Sequence, residues 1–212
     1  FTGSTRGGMA LFNAANTREE PIPVYSEMGS TNPLFILPEA LKERSREIAS
    51  GLTESVVLGT GQYCTNPGLV FLNKDENVAE FQKQTINHFQ EVEAAPMLNK
   101  GIKAAFDSGV EHLLDNKESV TLIAKGKINS DGFRGSAHLF ETTAKKFIEK
   151  EFLEEENFGP STINILADSR EELLESARKM KGHLTATLFG TENDLKDYTD
   201  LIEILEQKVG RL

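Results

Sequence analysis

With 212 residues, a net charge of −10 and a pI near 5.0, the chain is long enough for one sizeable core, and no basic run stands out to release counterions from a phosphate backbone. A nucleic-acid partner is therefore not expected. The single cysteine excludes an internal disulfide framework, and no apolar run approaches the roughly 18 residues of a membrane span, so the expectation is a soluble, cytoplasmic chain with no membrane partner. The first residues carry neither an initiator methionine nor a signal peptide, and both ends are expected to be cuts within a longer protein.

Phe1 to Gly8 is glycine-rich and leads into the apolar segment Met9 to Ala15, a pattern of strand end, turn and helix start. Glycines allow close backbone approach and helix-start N–H groups favour phosphate, so this turn is a candidate pyrophosphate site. It lacks the Lys-Ser/Thr pair of a nucleoside-triphosphate loop. Pro21 to Ser26 reads as extended, because each proline pushes its predecessor away from helix, and it delivers Glu27 to a turn. A carboxylate just past a strand end is placed to face a cleft. It could equally be a solvated or helix-capping glutamate.

Leu34 to Leu37 is an apolar run suited to a buried strand, and from Pro38 the stripe Leu41, Ile48, Leu52 and Val56 predicts a helix. That helix leads to Gly61-Gln62-Tyr63-Cys64-Thr65-Asn66-Pro67-Gly68, which holds the only cysteine. Cysteine reacts as thiolate, and a turn flanked by glycines suits an accessible nucleophile. Its bland alternative is a small buried hydrophobe. Leu69 to Leu72 is the next predicted strand. Two amphipathic helices follow, one with Val78, Phe81, Ile86 and Phe89, the other with Ile102, Phe106, Val110 and Leu113.

Val120 to Ala124 predicts a strand, Gly126 to Ser136 an exposed loop, and Ala137 to Thr142 an edge strand. Glu154-Glu155-Glu156 has the composition of a solvated surface run. Thr162 to Leu166 predicts a strand, Arg170 to Met180 a helix, His183 to Phe189 a strand, and the stripe from Leu195 to Val209 a last helix. The four histidines lack metal-ligand spacing and read as ordinary surface or helix residues, so no metal site is implied. Strands alternating with helices predict an α/β fold with an open, mostly parallel twisted sheet covered by helices on both faces.

Taken in order, Phe1-Thr2-Gly3-Ser4, Glu27-Met28-Gly29-Ser30-Thr31-Asn32-Pro33, Gly61-Gln62-Tyr63-Cys64-Thr65 and Glu156-Asn157-Phe158-Gly159-Pro160 resemble the aldehyde dehydrogenase superfamily over nearly the whole chain. The detail looks most like the branch of 2-oxoglutarate semialdehyde (2,5-dioxovalerate) and fatty aldehyde dehydrogenases. The resemblance implies that Cys64 adds to an aldehyde, that hydride passes to NAD or NADP, with NADP favoured by the branch, and that Glu27 activates water to hydrolyse the thioester. It implies that Glu156 and Phe158 hold the nicotinamide ribose and ring, that Gly3 and Ser4 lie near the pyrophosphate, and that the Cys64 N–H stabilises the oxyanion. The presence of Glu27 favours release of a free acid over acyl transfer to coenzyme A.

One departure is Asn157, where the family usually carries Ile or Val. By the same resemblance, residues 1–29 are a remnant of the coenzyme-binding domain and residues 30–212 the catalytic domain, and the full-length protein is a homo-oligomer. Residues 1–29 are then expected to be mobile, displaced or packed on another copy, with Glu27 held away from Cys64. Two other readings stand beside this one. A papain-like hydrolase would need a histidine set by Asn or Asp, for which there is no local signature. An excised, catalytically inactive α/β fragment would fold or bind a partner without turnover.

Overall fold

The computed structural model describes residues 1–128 and 132–212. In chain order the elements are β1 (Thr2–Gly3), α1 (Thr5–Asn16), β2 (Glu27–Met28), β3 (Leu34–Ile36), α2 (Pro38–Val57), β4 (Leu69–Asn73), α3 (Val78–Glu91), β5 (Ala95–Pro96), α4 (Lys100–Asp115) and β6 (Thr121–Lys125). They continue with β7 (Arg134–Gly135), β8 (His138–Thr143), α5 (Ala144–Glu149), β9 (Ser161–Ala167), α6 (Arg170–Lys179), β10 (His183–Thr185), β11 (Thr187–Phe189), α7 (Glu192–Asp197), α8 (Thr199–Lys208) and β12 (Val209–Arg211).

The central sheet has six strands in the order β11-β3-β4-β9-β8-β6, parallel except for the last pair. Its strands β3 and β4 are apolar on both faces over Leu34–Ile36 and Leu69–Leu72, as a parallel sheet covered by two helical layers requires. Leu34, Ile36, Val70 and Leu72 pack under α2 and α3, while Phe35, Phe71 and Ile165 face α4, α5, α6 and α8. Phe35 and Phe71 stack at 4.5 Å between ring centres, and Phe147 meets Phe71 edge-on at 5.1 Å. Each such fully buried side chain stabilises the fold by roughly 1.5–3 kcal/mol.

Several expectations change here. Ala137 to Thr142 is not an edge strand: β8 lies between β9 and β6, and β6 is the edge. Its polar residues suggested solvent, yet they are buried with partners, since His138 Nδ1 lies 2.8 Å from Ser136 O and Thr142 Oγ1 donates to Ser119 O at 2.5 Å. His183 to Phe189 is two strands, because β10 pairs with β12 while β11 pairs with β3. The last helix breaks at Tyr198, and Val209 starts a strand instead of ending a helix. Part of the loop from Gly126 to Ser136 is ordered as β7 against β5, and residues 129–131 lie outside the described residues.

The first segment packs thinly. Only Gly8 and Ala15 of α1 are buried, and Met9, Leu11, Phe12, Ile22 and Tyr25 are exposed. β1 and β2 pair in parallel, with Glu27 opposite Thr2. Pro21 to Ser26 forms no strand, so Glu27 lies within β2 itself and not past the end of a strand.

His138 is a buried strand residue, not a surface one, lying between the rings of Phe106 and Phe140. Burial, reinforced by the Lys125 charge, pushes its pKa down to about 4, while the Ser136 carbonyl opposes the shift. The unfolded state therefore binds more protons between about pH 4 and the ordinary value near 6.5, so stability falls as pH drops through that window. Replacing the ring by the shorter amide in His138→Asn removes this titration. Chemical denaturation at pH 7 and pH 5 is expected to show the wild type losing about 1–3 kcal/mol more than the variant; equal losses would contradict the assignment.

Candidate active site

Three of the four segments singled out by sequence immediately precede strands of the central sheet. Glu27 to Pro33 runs into β3, the cysteine loop into β4, and Glu156 to Pro160 into β9. Because β3, β4 and β9 are parallel neighbours, their incoming loops meet at one end of the sheet. The site thus sits at the amino ends of these strands, opposite to the carboxyl-end cleft that open α/β sheets commonly use.

The cysteine loop is locally strained. Gly59, Thr60 and Gly61 have φ of 55°, 59° and 66°, a left-handed run that reverses the chain at the end of α2. Gln62 stabilises this reversal, donating from Nε2 to Gly59 O at 2.8 Å while its Oε1 accepts from Leu98 N–H at 2.8 Å. The Asn66 N–H bonds to Tyr63 O at 3.1 Å, closing a turn with Cys64 and Thr65 at its centre. Cys64 is exposed there, so the alternative of a small buried hydrophobe fails.

Asn32 joins two of the segments. It is buried with φ of 43°, a conformation that asparagine tolerates better than most residues, and its Nδ2 donates to both Cys64 O and Asn66 O at 2.9 Å. The Gly68 N–H adds a bond to Thr31 O at 2.7 Å. Asn66 continues the connection, its Nδ2 donating to Gly159 O at 3.3 Å. Gly61 lies directly on that third segment: a methyl group there would stand 2.2 Å from the Gly159 carbonyl carbon.

Glu156 is exposed as a residue, and its carboxylate approaches Gly29. A methyl group on Gly29 would lie 3.2 Å from Glu156 Oε2 and 3.1 Å from Thr5 Oγ1 at the start of α1. Burial of the carboxyl group pushes its pKa up, and the Ser30 N–H pulls it down. Ser4 caps α1 by accepting from the Gly7 N–H at 3.2 Å, and Gly3 precedes it in β1. Phe158 is half-buried beside a small cavity of about 30 Å³ that Glu156, Gly61 and Asn66 also line. The Asn157 side chain turns away toward α4, where its Oδ1 would stand 2.4 Å from a methyl on Gly109, and its Nδ2 donates to Ser161 Oγ. The departure at this position is thus absorbed by a glycine on α4.

Glu27 is exposed on β2. Among the described residues no hydrogen bond joins it to Cys64, and the connection between their segments runs through Asn32. Sequence reasoning did not single out Asn66, His183 and Glu154, whose side chains bond across the converging segments. His183 is buried beside the Glu27 to Pro33 turn, and Glu154 is its partner, so these two are neither a surface histidine nor part of a solvated run. Their partners lie far away in sequence, and no local pattern signals them. Among the described residues there is no cluster of potential metal ligands, and no helix is long and apolar enough to cross a membrane.

An exposed thiol on a tight turn is thus joined, through the Asn32 and Asn66 amides, to the segments that carry Glu27 and Glu156 in an α/β fold. The aldehyde dehydrogenase family matches residues 1–206, and the chain belongs to that family. It is 36% identical over 213 residues to the alpha-ketoglutaric semialdehyde dehydrogenase of Acinetobacter baylyi, and 36% identical over 212 residues to alpha-ketoglutaric semialdehyde dehydrogenase 2 of Azospirillum brasilense. Each match covers 100% of this chain and 40% of the relative, so the chain spans well under half of those proteins. Its fold matches a NAD-dependent benzaldehyde dehydrogenase from Corynebacterium glutamicum, with TM-score 0.77 and 22% identity over 100% of this chain and 45% of the other. An aldehyde dehydrogenase from Bacillus cereus gives TM-score 0.79 and 23% identity, over 100% of this chain and 42% of the other.

Gly61→Ala is expected to destabilise the chain by at least about 2 kcal/mol more than Gly132→Ala, measured by urea denaturation. Both glycines have φ near +66°, but Gly61 would press a methyl onto backbone, while among the described residues nothing lies within 4 Å of a methyl on Gly132. Equal costs would show that the contact with Gly159 does not constrain the loop.

Proposed function

We propose that the chain is the thiol-bearing part of an NAD(P)-dependent aldehyde dehydrogenase that oxidises an aldehyde to a carboxylic acid. The observation that carries this reading is the convergence of the Glu27, Cys64 and Glu156 segments through the Asn32 and Asn66 amides. In the proposed reaction the Cys64 thiolate adds to the carbonyl carbon, forming a thiohemiacetal whose developing oxyanion is met by the Cys64 N–H. When bound, the nicotinamide nucleotide supplies the hydride acceptor. Loss of hydride leaves an acyl thioester on Cys64, and Glu27 takes a proton from the water that attacks it, with the thiolate as leaving group.

The residues present fit the nucleotide's nicotinamide end. Glu156 would offer its carboxylate to ribose hydroxyls beside the α1 start, Phe158 would flank the ring, and Gly3 and Ser4 would approach the pyrophosphate. NADP is favoured over NAD by the branch, and 2-oxoglutarate semialdehyde is the proposed substrate class, supported by the names of the two relatives at 36% identity. Residues 1–29 would belong to the coenzyme-binding domain and 30–212 to the catalytic domain. The outward apolar residues of α1 and its flanking segment support that division, because such a face needs a cover. The whole protein would be a cytoplasmic homo-oligomer. The 212-residue chain alone, holding part of the nucleotide site, would not turn over.

Cys64→Ser in the full-length protein tests the reading. The hydroxyl is a weaker nucleophile and a poorer leaving group, so aldehyde-dependent reduction of NAD or NADP should fall by far more than tenfold. A residual rate above about a tenth, equivalent to less than about 1.4 kcal/mol of transition-state stabilisation, would remove Cys64 from that role.

A further inference from the structure

We propose that His183 and Glu154 form a positioning pair that sets the turn carrying Asn32 and, through it, the Cys64 loop. Both side chains are nearly buried, at 4% and 9% exposure. His183 Nδ1 accepts from the Thr31 N–H at 3.3 Å and lies 3.4 Å from Thr31 Oγ1. With Nδ1 as the acceptor, the proton of the neutral ring sits on Nε2, which donates to Glu154 Oε1 at 3.1 Å. The same oxygen accepts from the Lys181 N–H at 2.5 Å, which fixes the carboxylate from a second side.

Glu154 ends a short 3₁₀ turn two residues before Glu156, so the pair ties the acidic segment to the turn after Glu27. The strand that carries His183 adds two more bonds. The Leu184 N–H donates to Ser30 Oγ at 3.0 Å, and Thr185 Oγ1 donates to Asn32 Oδ1 at 3.1 Å. Ser30 Oγ also donates to Asn32 Oδ1, at 2.8 Å. With Oδ1 held by two donors, the Asn32 amide plane is fixed and Nδ2 is aimed at the Cys64 and Asn66 carbonyls. Orientation therefore passes from Glu154 through His183 and Thr31 to Asn32 and the thiol loop. Both bonds fall on one Glu154 oxygen, so the pair sets the turn through the place of that oxygen.

Two mild variants separate these contributions. Glu154→Gln keeps an oxygen at the same reach without the charge, while Glu154→Asp keeps the charge but withdraws the oxygen by one methylene. In the 212-residue chain, hydrogen exchange at the Thr31 amide should speed up about tenfold in Glu154→Asp and His183→Ala and stay within about twofold of wild type in Glu154→Gln. Alkylation of Cys64 by iodoacetamide should rise about threefold in the first two variants as the loop loosens, and not in the third.

The catalytic consequence rests on the reading of Cys64 as nucleophile. In the full-length protein, Glu154→Asp should lower kcat about tenfold with KM nearly unchanged, and Glu154→Gln should retain both. Unchanged Thr31 exchange in Glu154→Asp, or release in Glu154→Gln but not in Glu154→Asp, would overturn the positioning role whatever the fate of the nucleophile. Exchange results as expected with unaltered kcat would overturn only the catalytic consequence, and the Cys64→Ser rate separately decides the nucleophile.

Discussion

The two hydrogen bonds from the Asn32 amide to the Cys64 and Asn66 carbonyls are the constraint on which the site depends. A buried carbonyl left without a donor costs roughly 1–3 kcal/mol, so the loop follows the amide, and the amide follows the turn that holds it. The turn in turn requires a left-handed asparagine directly before Pro33. Asn32 and Thr60, left-handed without being glycine, are each held by side-chain bonds to distant segments, Asn32 to Cys64 and Asn66 and Thr60 to the Pro96 carbonyl, which is the condition under which local strain persists in a folded chain.

The sheet explains why those segments meet. β3, β4 and β9 run side by side in one direction, so the loops feeding them emerge together, and the ladder starts with loop bonds such as the Ile163 N–H to Gly68 O. The helices α2 and α3 on one face and α4, α5, α6 and α8 on the other bury that sheet. Close glycine contacts complete the arrangement. Gly61 lets its backbone approach that of Gly159 at a distance no side chain permits, and Gly29 leaves room for the Glu156 carboxylate.

Much of this was legible in the residues. The apolar runs Leu34–Leu37, Leu69–Leu72 and Thr162–Leu166 became strands of the central sheet, and Pro38 and Arg170 begin the helices expected there. The motif order pointed to the family that residues 1–206 match. What was not legible depends on pairing across long separations. β8 was expected at an edge, and only tertiary contacts reveal the buried partners of its polar residues His138 and Thr142. Glu154 and His183 lie in segments whose composition suggested surface, and their bond appears only once β10 is laid beside the turn at Ser30. The expected separation of Glu27 from Cys64 concerns two loops whose link, Asn32, is a motif residue with no local sign of its bonding role.

The most direct test of the account is the covalent state of the thiol. The full-length protein carrying Glu27→Gln, mixed with aldehyde and NADP or NAD and quenched with acid, should show by peptide mass mapping an acyl group on the peptide containing Cys64, because thioester hydrolysis lacks its base. The adduct should accumulate toward one equivalent and be far scarcer in the wild type. An unmodified Cys64 under conditions where the nucleotide is reduced, or an acyl group on a different residue, would contradict it.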